Sequence, residues 1–334
     1  MNSSTAWFVS SLVCLVFTVF NILTVIVILC SKNQRNRVTT CPILYFLAAS
    51  ALQGFAAFPL YVFKKIAYQE DVPIWLCDAS RFTYMHSGHV LKISLLLVSC
   101  DRLFAVKYPF KYRELVSRNK MIIIILISWL ITVSIDCVPF FNKNEKFESC
   151  HYFPSHVWGF FVIICYDIFP FFIMVVSYIT IWKIAARLSL ADNSVKVDMN
   201  RNKDKSALIM TNTRSKSKVD ILLQMKATKT SLTLIVVHIV CWAPLGVFYT
   251  YDHFCKNCWS RANNLEEVRA AIKILSSTSS FFAPVIYCWF NHDFFKAAQN
   301  LLQKCGCIFL SYKKSDHKQK ETLTLVHTVS LNSN

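Results

Sequence analysis

Charged residues are scarce in this chain. Asp, Glu, Lys and Arg make up only 16% of its 334 residues, whereas 54% are hydrophobic and 14% are aromatic. Soluble globular domains carry about 25% charged residues, so this composition excludes an ordinary soluble protein. The sequence therefore predicts a chain that crosses a membrane several times.

Acidic residues are rarer still, with 19 Asp and Glu against 36 Lys and Arg. The formal charge of +17 does not indicate a nucleic-acid partner, because the basic residues gather in short connectors between apolar runs. Such connectors are typical of cytoplasmic loops. The first of them, with Lys32, Arg35 and Arg37, should therefore lie inside the cell, which places the N-terminus outside.

Several motifs are missing. The 14 cysteines do not form the paired Cys-x-x-Cys sets of a metal site. We see no His/Asp cluster with catalytic or metal spacing in the apolar runs, which argues against an enzyme and against a cofactor. No internal repeat is present, which argues against transporters built from duplicated halves. The first apolar run lacks a basic leader, so we expect it to be retained as a helix.

Seven runs are long enough to cross a bilayer. Their predicted ranges are about 6–30, 41–63, 77–108, 121–141, 157–188, 221–251 and 265–290. Residues 1–6 then form an extracellular N-terminus, 7–303 a bundle with a short last helix, and 304–334 a cytoplasmic tail.

Further expectations concern the connectors and the two ends of the chain. Residues 189–220 are polar and are predicted to form a flexible third intracellular loop. Residues 291–303 place apolar side chains at helical spacing, which predicts an amphipathic helix at the membrane surface. Cys305 and Cys307 follow it, where palmitoylation and chance placement both remain open. Asn2 begins a glycosylation sequon, which fits an outside N-terminus.

Several of the predicted membrane-spanning runs contain short motifs of cysteine, proline, tryptophan or charged residues. They are Cys77 at the start of the third run, Asp101-Arg102-Leu103 near its end, Trp129, Pro170, Cys241-Trp242-Ala243-Pro244 and Ala283-Pro284-Val285-Ile286-Tyr287. Cys77 and Arg102 are 25 residues apart, and a helix of that length spans roughly 38 Å, more than the roughly 30 Å of bilayer hydrocarbon. In these motifs, and over roughly residues 21–302, the chain resembles the rhodopsin-like (class A) G-protein-coupled receptors.

The resemblance implies an all-α membrane protein, a seven-transmembrane helix bundle with an extracellular N-terminus and a short eighth helix. It implies a multi-pass plasma-membrane receptor that binds an extracellular ligand and activates heterotrimeric G proteins. Arrestin, receptor kinases and membrane lipid are the further partners it implies. Two alternatives remain open: a transporter or channel with a polar pathway, and a receptor-like protein that does not signal.

The resemblance also assigns residue roles. It pairs Cys77 with Cys150 in a disulfide, while Cys255 and Cys258 form either a second bridge or free thiols. It has Arg102 held by Asp101 in the resting state. The activation-switch residues that it implies are Asp101, Arg102, Pro170, Tyr178, Trp242, Pro244, Pro284 and Tyr287.

Two departures from the family concern its sodium site. Ala51 stands where the family usually has a sodium-binding aspartate, and Ala283 replaces the usual asparagine, although Asn21 matches. We therefore expect no sodium site and no bound metal.

Another departure suggests a buried polar cluster. Lys92 and His238 replace apolar family residues in the middle of the third and sixth runs. Because an unpaired charge at that depth costs several kcal/mol, Lys92 needs a partner. We predict an ion pair with Asp167, close to His238. Whether the pair only stabilises the bundle or also takes part in activation remains open.

The ligand cavity is less well defined by sequence. Tyr84 occupies the place of the amine-binding aspartate of amine receptors, so an amine held by a salt bridge is not expected, although residues 290–294 resemble those receptors. Arg81, Arg269 and Lys273 favour an anionic ligand, unless each pairs with an acidic residue or snorkels. The predicted ligand-binding residues are Arg81, Tyr84, Met85, Gly88, Trp242, Tyr249, Arg269 and Lys273.

Overall fold

The computed structural model describes residues 3–67, 72–141, 156–201, 208–254 and 265–304, and in these ranges all regular structure is helical. The long helices are α1 (Ser3–Cys30), α2 (Cys41–Leu52, continued by Gln53–Ala57 and Phe58–Ala67), α3 (Ile74–Lys107), α4 (Arg118–Phe141), α5 (His156–Val162, continued by Ile163–Ile168 and Phe169–Arg201), α6 (Leu208–Phe254) and α7 (Leu265–Phe290). The shorter elements are Lys32–Arg35, the 3-10 turn Val38–Thr40, the connector helix Pro109–Leu115, and α8 (His292–Lys304).

Six of the long helices in the described ranges are apolar enough to cross a membrane by composition alone. Their apolar stretches are Ser11–Cys30, Val38–Lys64, Arg118–Phe141, Val157–Arg187, Thr228–Tyr251 and Glu267–Phe290. The seventh long helix, α3, is too polar to be recognised as a membrane span by composition. It packs against α2, α4, α5 and α6, and polar residues such as Arg102, Asp101 and His86 are at most 5% exposed. The central place of α3 therefore explains its composition, because its polar groups face other helices rather than lipid.

Two of the helices contain a wider turn shortly before a proline. The π-helical turn Gln53–Ala57 precedes Pro59 in α2, and the π-helical turn Ile163–Ile168 precedes Pro170 in α5. Proline lacks the N–H that an α-helix uses and crowds the carbonyl one turn back, so the preceding turn relaxes to the wider form. In α5 this turn carries Tyr166 and Asp167.

Close packing of α1 against α2 depends on a glycine. A methyl carbon at Gly54 would lie 2.3 Å from the Thr18 Oγ1 and 3.1 Å from the Cys14 carbonyl oxygen. Both distances are shorter than ordinary van der Waals contacts. The missing side chain therefore lets the two helices approach each other.

The part of residues 189–220 that the structure describes is helical, and the flexibility predicted for this loop stays a prediction. Helix α5 continues to Arg201 and α6 begins at Leu208. These extensions contain no glycine or proline and include several good helix formers, such as Lys, Arg, Leu and Met. Helices already nucleated in the membrane can therefore continue beyond it.

The seventh span agrees with its predicted range, and the other spans differ by a few residues at one or both ends, apart from the extensions just described. Residues up to Phe295 form one compact unit, and those from Lys296 onward belong to a second unit. Helix α8 forms close to the predicted range, while its location at a membrane surface stays a prediction. Asn2, Cys150, Cys255, Cys258, Cys305 and Cys307 lie outside the described residues.

Candidate functional site

Asp101 and Arg102 form a buried ion pair near the end of α3. Arg102 Nη2 donates to Asp101 Oδ2 at 2.6 Å and also to the Thr39 carbonyl oxygen at 3.3 Å. Arg102 is only 2% exposed, and its Nε makes no hydrogen bond among the described residues. The carboxylate of Asp101 therefore holds Arg102 in place, while the Arg102 Nε–H is buried without an acceptor among the described residues.

The connector helix Pro109–Leu115 supports this pair. The Tyr112 hydroxyl donates to Asp101 Oδ1 at 2.7 Å, so the carboxylate has a partner on each of its oxygens. Burial, together with the negative charge of Asp101, raises the pKa of Tyr112. Tyr112 therefore remains a protonated donor, and the connector stays attached to Asp101.

We expect replacement of Tyr112 by phenylalanine to weaken the hold on Arg102. The change leaves Asp101 Oδ1 without its donor, at a free-energy cost of about 1 to 3 kcal/mol. Basal nucleotide exchange on a G protein should rise, as measured with purified receptor in lipid discs. Lys120→Ala is the control, because Lys120 is exposed and its ammonium donates to the Leu115 carbonyl oxygen. Equal exchange by the Tyr112→Phe variant and the wild type would contradict this role.

Tyrosines of α5 and α7 face the same end of the bundle. Tyr178 lies near Arg102, and Ser99 and Ser231 are beside its hydroxyl. Tyr287 is 3% exposed and packs edge-on against Phe294, with ring centroids 5.2 Å apart. The structure thus brings the predicted switch residues Tyr178 and Arg102 together.

Trp242 of α6 lies at the centre of the bundle, 8% exposed. Its indole N–H donates to the Ser279 hydroxyl of α7 at 2.9 Å, and its ring stacks on His238 at 5.3 Å. On the α3 side it fills the space above Gly88, where a methyl carbon would lie 2.8 and 2.9 Å from ring atoms. Contacts from three helices therefore set the orientation of this ring.

The predicted polar cluster is present beside Trp242. Lys92 of α3 donates to Asp167 of α5, and its Nζ lies 5.5 Å from the centroid of the Trp242 ring. His238 stacks on the same ring, meets Phe46 edge-on, and is 4% exposed. Neither ring nitrogen of His238 has a hydrogen bond in the described part of the chain. The cluster therefore surrounds Trp242 with one ion pair and one apolar-packed imidazole.

The region where the family usually has its sodium site holds neutral polar groups in this chain. Asn21 Nδ2 donates to the Ser280 carbonyl oxygen at 2.9 Å, and the Ser280 hydroxyl donates to Gln53 Oε1 at 3.2 Å. Ala283 is 1% exposed, and Ala51 is half-buried. No group of three or more acidic, histidine or cysteine side chains in the described residues could hold a metal ion.

Several predicted ligand-binding residues meet between α2, α3 and α7. The Tyr84 hydroxyl shares a hydrogen bond with the Ser276 hydroxyl at 2.9 Å. Lys273 Nζ lies 3.9 Å from the centroid of the Tyr61 ring and 5.3 Å from that of Tyr84. Lys273 is 9% exposed, so its ammonium is buried against two tyrosine rings. Tyr249 of α6 is near enough to Tyr84 to influence it electrostatically.

Each of the three predicted cations lies over an aromatic ring. Arg81 pairs with Asp78 at 3.1 Å and covers the Phe140 ring of α4 at 4.5 Å. Arg269 lies over Phe248 of α6, whereas Lys273 faces Tyr61 and Tyr84. Met85 is half-buried on α3. The structure thus places Arg81 against Phe140 of α4, and Lys273 beside the predicted ligand residue Tyr84.

One cluster of histidine and aspartate side chains was missed by sequence reasoning, because it lacks catalytic or metal spacing. His86 and His89 of α3 each place Nδ1 on the carboxylate of Asp136 in α4, at 2.8 and 2.6 Å. All three residues are at most 6% exposed. Two histidines three residues apart on one helix, and a lone acid inside an apolar run, were the available signals.

These contacts describe a polytopic helical bundle with a buried aspartate–arginine ion pair at one end and a tryptophan packed at its centre. The chain belongs to the rhodopsin family of seven-transmembrane, G-protein-coupled receptors. The family model described as "7 transmembrane receptor (rhodopsin family)" matches residues 20–287, which is most of the chain. The protein is therefore a multi-pass plasma-membrane receptor, and its relatives are receptors rather than enzymes.

Similar proteins are receptors for chemically different ligands. The chain is 25% identical to cannabinoid receptor 1 of Xenopus laevis over 86% of its own length, and 23% identical to octopamine receptor beta-2R of Chilo suppressalis over 74%. It is 23% identical to adenosine receptor A2b of Gallus gallus over 89% of its length and 87% of that receptor. The chain spans about three fifths of the cannabinoid receptor's length and 67% of the octopamine receptor's.

Cys77 is disulfide-bonded in the structure. Its predicted partner, Cys150, lies outside the described residues, so the pairing stays a prediction. The same holds for the second bridge, the glycosylation of Asn2 and the lipidation of Cys305 and Cys307.

Proposed function

We propose that the protein binds an extracellular small molecule and, in response, catalyses nucleotide exchange on a heterotrimeric G protein. The observation that carries this proposal is the Asp101–Arg102 pair, buried and fastened by Tyr112 at one end of α3. An arginine in that state can be released by movement of α5 and α6 without any chemical reaction. Activation is then a shift between two arrangements of the bundle, driven by a ligand that binds one of them better.

Trp242 supports the connection between ligand and switch. Its ring contacts Gly88 and Lys92 of α3 and Ser279 of α7. Trp242 is on the same helix, α6, as the predicted ligand residue Tyr249. A ligand that presses on this ring would change contacts on three helices at once. Because packed interiors change between discrete arrangements rather than deform smoothly, such a displacement can reach the Arg102 end.

The ligand that we propose is a small molecule with an anionic or strongly polar group. Lys273 is buried beside Tyr84 and Tyr61, where an anion would meet a positive charge and two hydroxyl-bearing rings. A charge-based amine site is not supported, because the α3 position that would hold the acid is Tyr84. Receptor kinases, arrestin and membrane lipid are further partners that we propose on the basis of family membership.

The test measures G-protein activation and ion flux with the full chain in the same membranes. We expect basal nucleotide exchange on at least one class of Gα, and stimulation by some member of a panel of carboxylates, lipids, amines and short peptides. Arg102→Ala should lower exchange by at least about tenfold, equivalent to about 1.4 kcal/mol, while Lys120→Ala should not. Ion flux without any nucleotide exchange would overturn the proposal in favour of a transporter or channel.

A further inference from the structure

We propose that His86, His89 and Asp136 form a proton-binding site between α3 and α4, and that the bound proton is held by His89. None of these three residues belongs to the Asp101–Arg102 pair or to the predicted ligand residues. It does not depend on the proposed coupling to a G protein.

The first argument is charge balance. Both oxygens of the Asp136 carboxylate accept from histidine, and its side chain is 1% exposed. With two neutral histidines the cluster carries one negative charge inside the membrane-spanning bundle, which costs several kcal/mol. A single proton on one histidine makes the cluster neutral. The geometry therefore favours one imidazolium and one neutral imidazole on a shared carboxylate.

The second argument selects the histidine. His86 stacks on Phe82 at 5.3 Å and meets Trp129 edge-on at 5.9 Å, and its Nε2 is buried without a hydrogen bond among the described residues. A charged His86 would leave that N–H donor unsatisfied, which is costly in a buried site. A neutral His86 that donates from Nδ1 leaves only an acceptor unpaired. His86 is therefore the neutral member.

His89 has the contacts of a cation. It stacks on the Tyr166 ring at 4.1 Å with an interplanar angle of 14°, and aromatic faces attract positive charge. Its bond to Asp136 is the shorter of the two, 2.6 Å against 2.8 Å, as expected when both donor and acceptor are charged.

Among the described residues, the other ionisable groups around the site do not supply this charge. They are Lys92 of α3, Asp167, Tyr166 and Cys165 of α5, and Tyr45 of α2. Lys92 is already matched by Asp167, and the tyrosines and the cysteine are neutral in their protonated forms. Asp136 is therefore balanced by the histidines.

The site is placed to influence the Trp242 region. His89 and Lys92 are one turn apart on α3, and their partners Tyr166 and Asp167 are adjacent in the π-helical turn of α5. Loss of the proton would leave Asp136 unbalanced and weaken the stack between His89 and Tyr166. The same turns of α3 and α5 hold the Lys92–Asp167 pair, so binding or loss of the proton should change the geometry of that pair.

The direct test is nitrogen-15 NMR of histidine-labelled full-length receptor in lipid bilayers. We expect an imidazolium signal near neutral pH that is lost in His89→Gln and retained in His86→Gln, whose amide can still donate to Asp136. Absence of an imidazolium signal in the wild type, or its persistence in His89→Gln, would overturn the assignment.

A second measurement uses the unfolding temperature between about pH 6 and about pH 8.5, the range in which histidine usually changes charge. If the folded receptor holds the extra proton, stability is greatest at the acidic end and falls as pH rises. The wild type and His86→Gln should both show this fall, and His89→Gln should lose it. An equal fall in all three proteins would refute the proposal.

Discussion

Replacing Asp167 with alanine is expected to destabilise the receptor strongly. The change leaves the Lys92 ammonium, which is 15% exposed, without its carboxylate. Breaking a buried ion pair from one side costs about 3 to 5 kcal/mol. Because the Asp167 side chain is 35% exposed, we expect the lower part of that range or slightly less. The measurements are the unfolding temperature of purified receptor and the amount that reaches the cell surface.

The matched variant removes both charges. Lys92→Ile combined with Asp167→Ala leaves no buried charge uncompensated, and replacing a buried pair by apolar residues is often neutral. We therefore expect the double variant to recover most of the unfolding temperature that Asp167→Ala loses. The interaction energy from the complete double-mutant cycle should exceed about 0.5 kcal/mol. Additive losses would show that the two side chains do not interact in the membrane.

The double variant also separates the two roles left open for this pair. If the pair only stabilises the bundle, basal nucleotide exchange per receptor will equal that of the wild type. We expect higher exchange instead, because Lys92 also faces the Trp242 ring and Asp167 joins α3 to α5. Wild-type exchange at normal surface expression would exclude the pair from activation.

Much of the fold follows from local composition. Runs of apolar residues gave the number and order of the spans, and Leu265–Phe290 agrees with its predicted range. Helix ends elsewhere were harder to predict, because helices in this chain do not stop where hydrophobicity stops. Arg201 and Leu208 lie within a polar stretch whose residues still have good helix propensity.

The α3 helix shows why hydropathy alone is insufficient. Its polar residues resemble those of a soluble helix until their partners on other helices are known. The Lys92–Asp167 pair could be predicted, because a single deep lysine requires an acid and the resemblance to the family implies that the two positions face each other. The π-helical turn that presents Asp167 together with Tyr166 could not be predicted, since a proline permits several local solutions.

The histidine cluster was missed for a related reason. His86 and His89 belong to one helix, and Asp136 lies about 50 residues further along the chain. Sequence motifs for catalysis or metal binding depend on short, regular spacing, which this arrangement lacks. Only the packing of α4 against α3 brings the three side chains together. Arg81 was predicted to favour an anionic ligand unless it paired with an acidic residue, and in the structure it pairs with Asp78 and covers the Phe140 ring.

Adding one methyl group at Gly88 is expected to displace Trp242. The new carbon would lie 2.8 Å from ring atom Cη2 and 2.9 Å from Cζ3. These distances are well below van der Waals contact, so the indole must move away from α3. Overpacking of this kind costs about 1 to 3 kcal/mol in the arrangement that suffers it. If the active arrangement has more room for the ring, Gly88→Ala should raise basal nucleotide exchange about fivefold or more.

Gly246 provides the control for this substitution. It lies on α6 near Trp242 in sequence, but a methyl carbon there would meet no atom within 4 Å. Gly246→Ala should leave basal exchange unchanged, and it should slightly favour the helix, since alanine has the higher helix propensity. A rise in exchange in both variants would mean that helix propensity, rather than contact with Trp242, is responsible.

A second substitution shows whether the tryptophan ring itself transmits the effect. In the Gly88→Ala background, Trp242→Phe removes the part of the indole that carries Cη2 and Cζ3, and with it the overlap. It also removes the N–H that donates to Ser279 at 2.9 Å. If the overlap controls the bundle, the double variant should signal less than Gly88→Ala and similarly to Trp242→Phe alone. If Gly88→Ala acts elsewhere on α3, its effect will persist after the ring is gone, so this comparison distinguishes a displaced tryptophan from a displaced helix.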